Sequence, residues 1–383
     1  MNQAPGIASA DQVVISGFDV TCGAGRDPRA LLEAVLAGRP AFTPVTRFDV
    51  SGRRARAAAT LPGSPVLFTE IADVIEAACA DAQLTGPQRA DCPLMLAVRV
   101  DYQLARMSAA ERADWSGAGL ARALAQRCGL SGALRTYTGA CVAGSTAVAD
   151  AACMVAAGRL PRVVVAAGYL VDPDHFALFD AGRALSDDGA LRPFSTGRRG
   201  ILFGDAIVAV VLESGTAARR RGVPAAARLA GWGRAGDAYH VCRPDPTGDG
   251  IARAIGSALR RAGIGPDELG YVNANGTGTA HADAAESNGL SRALGACSAR
   301  IPVSSTKSVH GHALEASGLL ELVVTVLALG CARLPVNAGF LGPDDECRLD
   351  LVLDAPRPAA SPYMLSVNAA FGGANTALVI GAP

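Results

Sequence analysis

Cys141 is the residue of this chain best placed for covalent chemistry. It follows an extended run, Leu134-Arg135-Thr136-Tyr137-Thr138, and opens a small-residue helix from Val142 to Ala149. A cysteine at that junction sits near unpaired helix N–H groups and the positive end of the helix dipole. Both favour thiolate, the form that attacks a carbonyl. The strand-to-helix turn also presents the side chain as a serine nucleophile elbow does. An isolated free cysteine is usually inert core, so the reading rests on what accompanies it.

Three further segments carry polar residues in glycine-rich turns. Val272-Asn273-Ala274-Asn275-Gly276-Thr277-Gly278-Thr279 is followed by Asp283 and Glu286. Ser304-Ser305-Thr306-Lys307-Ser308-Val309-His310-Gly311-His312 brings a lysine and a histidine together after a serine-rich turn. Phe371-Gly372-Gly373-Ala374-Asn375 lies near the C-terminus. Each alone reads as an ordinary turn. His312 alone would be a core histidine, and its spacing from Lys307 favours catalysis. His310 and His281 read as incidental, although His281 is near enough to Asn275 in sequence to be a weak substitute imidazole. The arginines at Arg192, Arg198-Arg199 and Arg219-Arg220-Arg221 read as solvated, with some available to dock an acidic partner.

The elements that position these segments alternate between strand and helix. Val13 to Gly17, Pro93 to Val98, Arg162 to Ala167 and Ala206 to Leu212 read as strands, and Asp27 to Gly38 and Val66 to Leu84 as helices. After a connector at Ala217 to Gly222 the order restarts. A strand near Ala227 to Gly231 is followed by a helix from Gly250 to Gly263, a strand at Gly270 to Asn273 and a helix from Ala282 to Leu294. A long helix then ends near Gly330. Short strands at Met364 to Val367 and Thr376 to Ile380 flank Phe371. This is an α/β pattern in two related halves.

Composition narrows the class. The chain has 383 residues, is half hydrophobic, and balances 35 basic against 35 acidic side chains. That suits a globular protein and argues against broad nucleic-acid binding. The apolar run Leu319 to Ala332 contains Glu321 and reads as too short to span a bilayer. The polar N-terminus, Met1 to Gln12, shows no signal pattern, so no membrane association is expected. Ten cysteines without a C-x-x-C pair point to a reducing cytoplasm, and ligand spacing argues against a metal site. No Gly-x-Gly-x-x-Gly follows the first strand, which argues against dinucleotide binding.

Together the four segments resemble the β-ketoacyl-ACP synthase family of the thiolase superfamily, nearest the Cys-His-His members of fatty-acid and polyketide extension. The resemblance runs from Val13 to the C-terminus. It implies a five-layered α/β/α/β/α fold from two halves, 1–215 and 216–383, working as a homodimer or as a heterodimer with another ketosynthase. It implies that Cys141 takes an acyl group from acyl carrier protein (ACP), whose phosphopantetheine thioester is a substrate, with no cofactor or metal. His312 matches the second catalytic histidine, Lys307 the buried lysine beside it and Glu321 the carboxylate of that network. Phe371 matches the gating residue, with the Gly372-Gly373 backbone near the thioester. The Cys141 and Phe371 N–H groups are the implied oxyanion hole. Asp283 and Glu286 match structural positions. The dimerising strand beside the Cys141 helix is expected at Arg162 to Ala167.

The main departure is Asn275, where the family has its first catalytic histidine. Asparagine donates a hydrogen bond but carries neither proton nor charge at neutral pH. Acyl loading onto Cys141 should therefore survive better than decarboxylative condensation, leaving an acyltransferase. The stretch between Arg99 and Thr138, with its polar part from Ser108 to Ser116, is short for the family. Ala166-Ala167-Gly168-Tyr169 and Ile201-Leu202-Phe203-Gly204-Asp205-Ala206 match only partly. Glu315 stands where a glycine or small residue is common. A non-catalytic partner of an active ketosynthase, like a chain-length factor, is the alternative. A papain-like cysteine hydrolase needs the same Cys-His pair but not this motif order.

Overall fold

The computed structural model describes residues 11–99 and 116–383. Residues 1–10 and 100–115 lie outside the described residues, and with them the polar stretch from Ser108 except its last residue, Ser116. The α/β reading of the sequence corresponds to one 11-stranded sheet system. Its strands in chain order are β1 (Val13–Cys22), β2 (Pro93–Val98), β3 (Gly132–Tyr137), β4 (Arg162–Tyr169) and β5 (Ala206–Ser214). The second set is β6 (Ala227–Gly236), β7 (Leu269–Asn273), β8 (Pro302–Ser304), β9 (Asp350–Leu351), β10 (Tyr363–Ala370) and β11 (Ala374–Gly381). In space they run β9-β8-β7-β10-β11-β6-β1-β5-β4-β2-β3. Counted within each set, the order third-second-fourth-fifth-first appears twice, with β9 added at one end. The halves meet where Val14 and Ile15 of β1 pair with Arg228 and Ala227 of β6.

Five layers follow from which helices touch which strands. One outer layer is α1 (Leu67–Asp81) with α2 (Gly117–Arg127), against the first set. The other is α5 (Asp249–Ala262) with α6 (Ala280–Leu294), against the second. Between the sheets lie α3 (Ala143–Ala156) and α7 (Ser317–Cys331), which pack on each other and on strands of both halves. A further helix, α4 (Pro173–Ala181), follows β4 and supplies aromatic side chains near the seam. α3 and α7 have little solvent face, with exposed residues only at Cys153 and at the end of α7, which explains why both are apolar almost all round. The helical stretch from Leu314 to Cys331 is 18 residues long and apolar enough to cross a bilayer, longer than the sequence suggested. Here it is 78% buried between the sheets.

Two expectations change. Arg162 to Ala167 is an interior strand, bonded to β2 on one side and β5 on the other, so it cannot pair with a second chain. The open edge is β3, which bonds only to β2 and exposes Leu134 by 44%. The strongly β-branched Val163-Val164-Val165 run marks burial on both faces rather than an edge. The arginine clusters also hold buried positions. The Arg221 side chain is only 8% exposed and pairs at 2.8 Å with the fully buried Glu213, which Arg162 also contacts. Arg198, 4% exposed, pairs with Asp344 at 2.7 Å.

The central helices cross at glycine. A Cβ on Gly318 would lie 2.8 Å from the Ser145 backbone nitrogen and 2.7 Å from its Oγ. Gly318→Ala is therefore expected to force α3 and α7 apart and lower stability by about 1–3 kcal/mol, as overpacking does. Urea unfolding should show a lower midpoint at an unchanged slope.

Candidate active site

The candidate nucleophile comes from the first half. Ala140 adopts a left-handed backbone (φ 53°), and a single 3-10 turn, Ala140–Val142, carries Cys141 ahead of α3. That turn separates the thiol from the first residue of the helix proper. Cys141 is 8% exposed and faces a narrow cavity of about 70 Å³. The expectation of a resting thiolate is not met. Burial pushes the Cys141 thiol up to about 12; the Glu315 carboxylate adds to this, and Lys307 opposes it. Desolvation of the charged form outweighs the helix end.

The second half supplies the other groups. Asn275 follows β7 in a turn whose backbone is held by carboxylates. Its N–H donates to Glu286 Oε1 at 2.7 Å, and the Gly276 N–H to Glu286 Oε2 at 2.7 Å. The Thr277 N–H donates to Asp283 Oδ1 at 2.9 Å and the Phe194 N–H to Asp283 Oδ2 at 2.9 Å. These acids hold the loop, which is the structural role expected of them. Burial pushes Glu286 up to about 8 and Asp283 to about 6, against those N–H donors. Gly276 (φ 24°) has no room for a Cβ, which would meet Ser305 Cβ at 2.5 Å.

Lys307 fixes the Asn275 amide. Its Nζ donates to Asn275 Oδ1 at 3.1 Å and pairs with Glu321 Oε1 at 2.6 Å; both ionic side chains are fully buried. Asn368 Nδ2 donates to Glu321 Oε2 at 2.5 Å. An ammonium only donates, so the amide oxygen must face it and Nδ2 takes the other direction. Among the described residues Nδ2 has no acceptor, and Asn275 lines the cavity with Cys141. Lys307 and Glu321 lie behind Asn275 and do not line it.

His312 is clamped by backbone. Its N–H donates to Leu202 O at 2.7 Å, and its carbonyl accepts the Gly204 N–H at 3.1 Å. A Cβ on Gly204 would fall 1.9 Å from His310 O, so only glycine permits this approach. The imidazole Nδ1 accepts the Leu314 N–H at 3.1 Å, with Ser317 Oγ at 2.9 Å. A backbone N–H can only donate, so the ring proton is on Nε2. Burial, with the Lys307 charge and then His310, holds His312 well below the ordinary histidine range. It is a neutral N–H donor rather than an imidazolium. His310 is structural: Nδ1 lies 2.8 Å from Gly311 O and Nε2 3.0 Å from Thr306 Oγ1. Burial brings it down to about 3. His281 is exposed and belongs to a different surface pocket, beside Tyr239 and Asn288.

Phe371, 55% exposed, stands at the cavity mouth and stacks on Phe179 with centroids 5.9 Å apart at 20°. Gly372 and Gly373 (φ 86° and 74°) make the turn that carries it. They line an adjoining open groove with Val142 and Thr146 rather than the Cys141 cavity. The Gly372 N–H donates to Val241 O at 2.9 Å, tying the Phe371 turn to the loop after β6. Phe179 and Thr279 also line the cavity, and sequence reasoning gave them no role. Thr279 lay in a quoted motif; Phe179 had no local signal. Cys141, Asn275, His312 and Phe371 thus share one small cavity at the seam of the two halves.

Comparison with known proteins agrees with this arrangement. Residues 97–218 match the model of the beta-ketoacyl synthase N-terminal domain, and residues 226–340 that of the C-terminal domain. A putative polyketide beta-ketoacyl synthase 1 from Streptomyces cyaneus is 31% identical, covering 97% of this chain and 98% of that protein. The tetracenomycin polyketide synthase ketoacyl synthase alpha subunit of Streptomyces glaucescens is 31% identical, covering 97% of both chains. A 3-oxoacyl-[acyl-carrier-protein] synthase 2 from Coxiella burnetii is 30% identical, covering 96% of this chain and 98% of that one. Among solved structures, the ishigamide ketosynthase/chain length factor superposes with a TM-score of 0.89 at 27% identity, over 98% of this chain and 100% of that one. A beta-ketoacyl synthase from Burkholderia phymatum gives 0.89 at 27% identity, over 97% of this chain and 100% of that one. The chain belongs to the β-ketoacyl synthase family, and its fold is the thiolase type.

The raised thiol makes a pH prediction. Below its pKa the thiolate fraction rises about tenfold per pH unit. Iodoacetamide alkylation of Cys141, followed by intact mass, should climb steadily between about pH 6 and about pH 9 without a plateau. A plateau already at neutral pH would show a stabilised thiolate.

Proposed function

We propose that this protein accepts an acyl group from ACP onto Cys141 and passes it on in fatty-acid or polyketide-type synthesis, with loading faster than decarboxylative condensation. The observation that carries this reading is the convergence of the thiol, the Asn275 amide and the neutral His312 imidazole in one gated cavity. In loading, the Cys141 sulfur bonds to the thioester carbon and the carrier's C–S bond breaks. The Cys141 and Phe371 N–H groups are the proposed donors to the oxyanion. In condensation, a malonyl thioester would lose CO₂, and its enolate oxygen needs donors of its own. Asn275 Nδ2 and His312 Nε2 are two such donors, both neutral. An imidazole at position 275 would add a proton carrier, which the amide is not.

Loading is tested by incubating wild type and Cys141→Ala with acyl-ACP. A mass adduct is expected on the wild type alone; equal adducts on both proteins would defeat the assignment. Asn275→His should raise CO₂ release from malonyl-ACP, by up to the roughly 10²–10⁴-fold that a proton-transfer group contributes, while changing acylation much less. Wild-type CO₂ release as fast as acylation, and not improved by the histidine, would make the protein an ordinary condensing enzyme.

The open edge of β3 supports pairing with a second ketosynthase-fold chain, identical or not, edge to edge. Leu134→Lys should then shift the assembly towards monomer in light scattering at micromolar concentration. A wild type that is already monomeric, with no co-purifying ketosynthase, would count against pairing.

A further inference from the structure

Acylation of Cys141 requires somewhere for the thiol proton to go. The groups around the thiol are nearly all committed. Lys307 is an ammonium and can only donate, and Asn275 has no basic atom. His312 already bears its proton on Nε2, because Nδ1 receives the Leu314 N–H. His310 Nε2 faces the Thr306 hydroxyl. Glu286 spends its two oxygens on the Asn275 and Gly276 N–H groups. Asp283 accepts from Thr277 and Phe194, and Glu321 holds Lys307 and Asn368.

Glu315 is different. It lies in the 3-10 turn Leu314–Ala316, which packs against the turn bearing Cys141. The approach is close: a Cβ on Gly144 would come within 3.0 Å of the Glu315 carbonyl oxygen. The residue is 6% exposed, and among the described residues its buried Oε2 has no hydrogen-bond partner. A buried carboxylate oxygen without a partner is costly, and such an atom in a native site calls for a functional reason. Among charged groups, Glu315 acts on the Cys141 thiol most strongly, ahead of Lys307. On its other side are His175, Arg99 and Asp172, the last two joined at 2.6 Å, and the buried Tyr169. Burial raises the Glu315 carboxyl, which brings its basicity closer to neutrality.

We propose that Glu315 is the proton acceptor for Cys141 during acyl loading, acting directly or through one water. This rests on the reading of Cys141 as the acyl-accepting nucleophile. The S–H bond breaks and its proton passes to the Glu315 carboxylate as sulfur bonds to the thioester carbon. When the tetrahedral adduct collapses, the carrier's C–S bond breaks. The departing thiolate takes the proton back from the Glu315 carboxyl, so the carrier leaves as a free thiol and Glu315 is ionised again.

The structure also offers a competing role with the opposite sign. As a mere negative charge, Glu315 hinders thiolate formation, and neutralising it would speed every reaction of Cys141. Single-turnover acylation by acyl-ACP, read by intact mass, separates the two. Glu315→Gln should acylate about 10²-fold more slowly than wild type, yet be alkylated by iodoacetamide at least as fast, since alkylation uses preformed thiolate. Glu315→Ala should be slow as well and regain acylation rate in added formate, which can occupy the space of the lost carboxylate. Unchanged or faster acylation of Glu315→Gln would overturn the proposal. So would a parallel fall in acylation and alkylation without formate rescue, the mark of a packing role. A wild type that forms no adduct would remove the loading reading and this one together; a wild-type adduct with an undiminished Gln variant removes only this one.

Discussion

The buried pair of Lys307 and Glu321 is the interaction on which the site depends. Neither side chain reaches solvent, and their charged atoms are 2.6 Å apart. Removing two charges from water is expensive, and a buried pair repays this only when hydrogen bonds satisfy the remaining groups. Here each partner has one such bond: Lys307 donates to Asn275, just past β7, and Glu321 accepts from Asn368 in β10. The pair sets which end of the Asn275 amide enters the cavity and helps keep His312 neutral. An apolar replacement could pack as well, but it would leave the amide free to turn. The pair therefore specifies orientation rather than supplying stability.

Much of this was legible in the chain. The stretch read as a helix from Asp27 to Gly38 forms one at Pro28–Ala37, with Asp27 as its N-cap and Gly38 as its left-handed C-cap. The four polar turns were found because nucleophile, lysine, histidine and glycines keep local spacing. Pairing partners of strands were less visible. The Val163-Val164-Val165 run is equally apolar at an edge or in the interior, and only neighbours decide between them. Nor does sequence reveal that Arg198 and Arg221 are buried, because their acids lie at Asp344 and Glu213 and meet them through the fold. The thiol's state was misjudged for a related reason. A helix end is a local feature, whereas desolvation is the sum of everything packed around it.

The repeated strand order explains why the site lies where it does. Each half presents its loops at the seam, and the central helices α3 and α7 bring them within reach. The first half contributes the thiol, and the second contributes the amide, the imidazole and the Phe371 ring. His312 is tied across the seam by backbone bonds to Leu202 and Gly204. Its position is therefore set by main chain from both halves, and little is left to side-chain rotamers.

The stacked pair Phe371 and Phe179 has a consequence for the lifetime of a covalent intermediate. A thioester in open water is lost slowly to hydrolysis, and a protein that stores one must limit how often water meets the carbonyl. One ring is half in solvent and the other is anchored on α4, and both line the cavity that holds the Cys141 sulfur. A pantetheine arm long enough to part the rings carries its own apolar methylenes to fill the gap, while a lone water does not. On the proposed loading of Cys141, the same aromatic contact would discriminate between two nucleophiles by shape and persistence, and an acyl group would wait in a compartment that its proper acceptor can open.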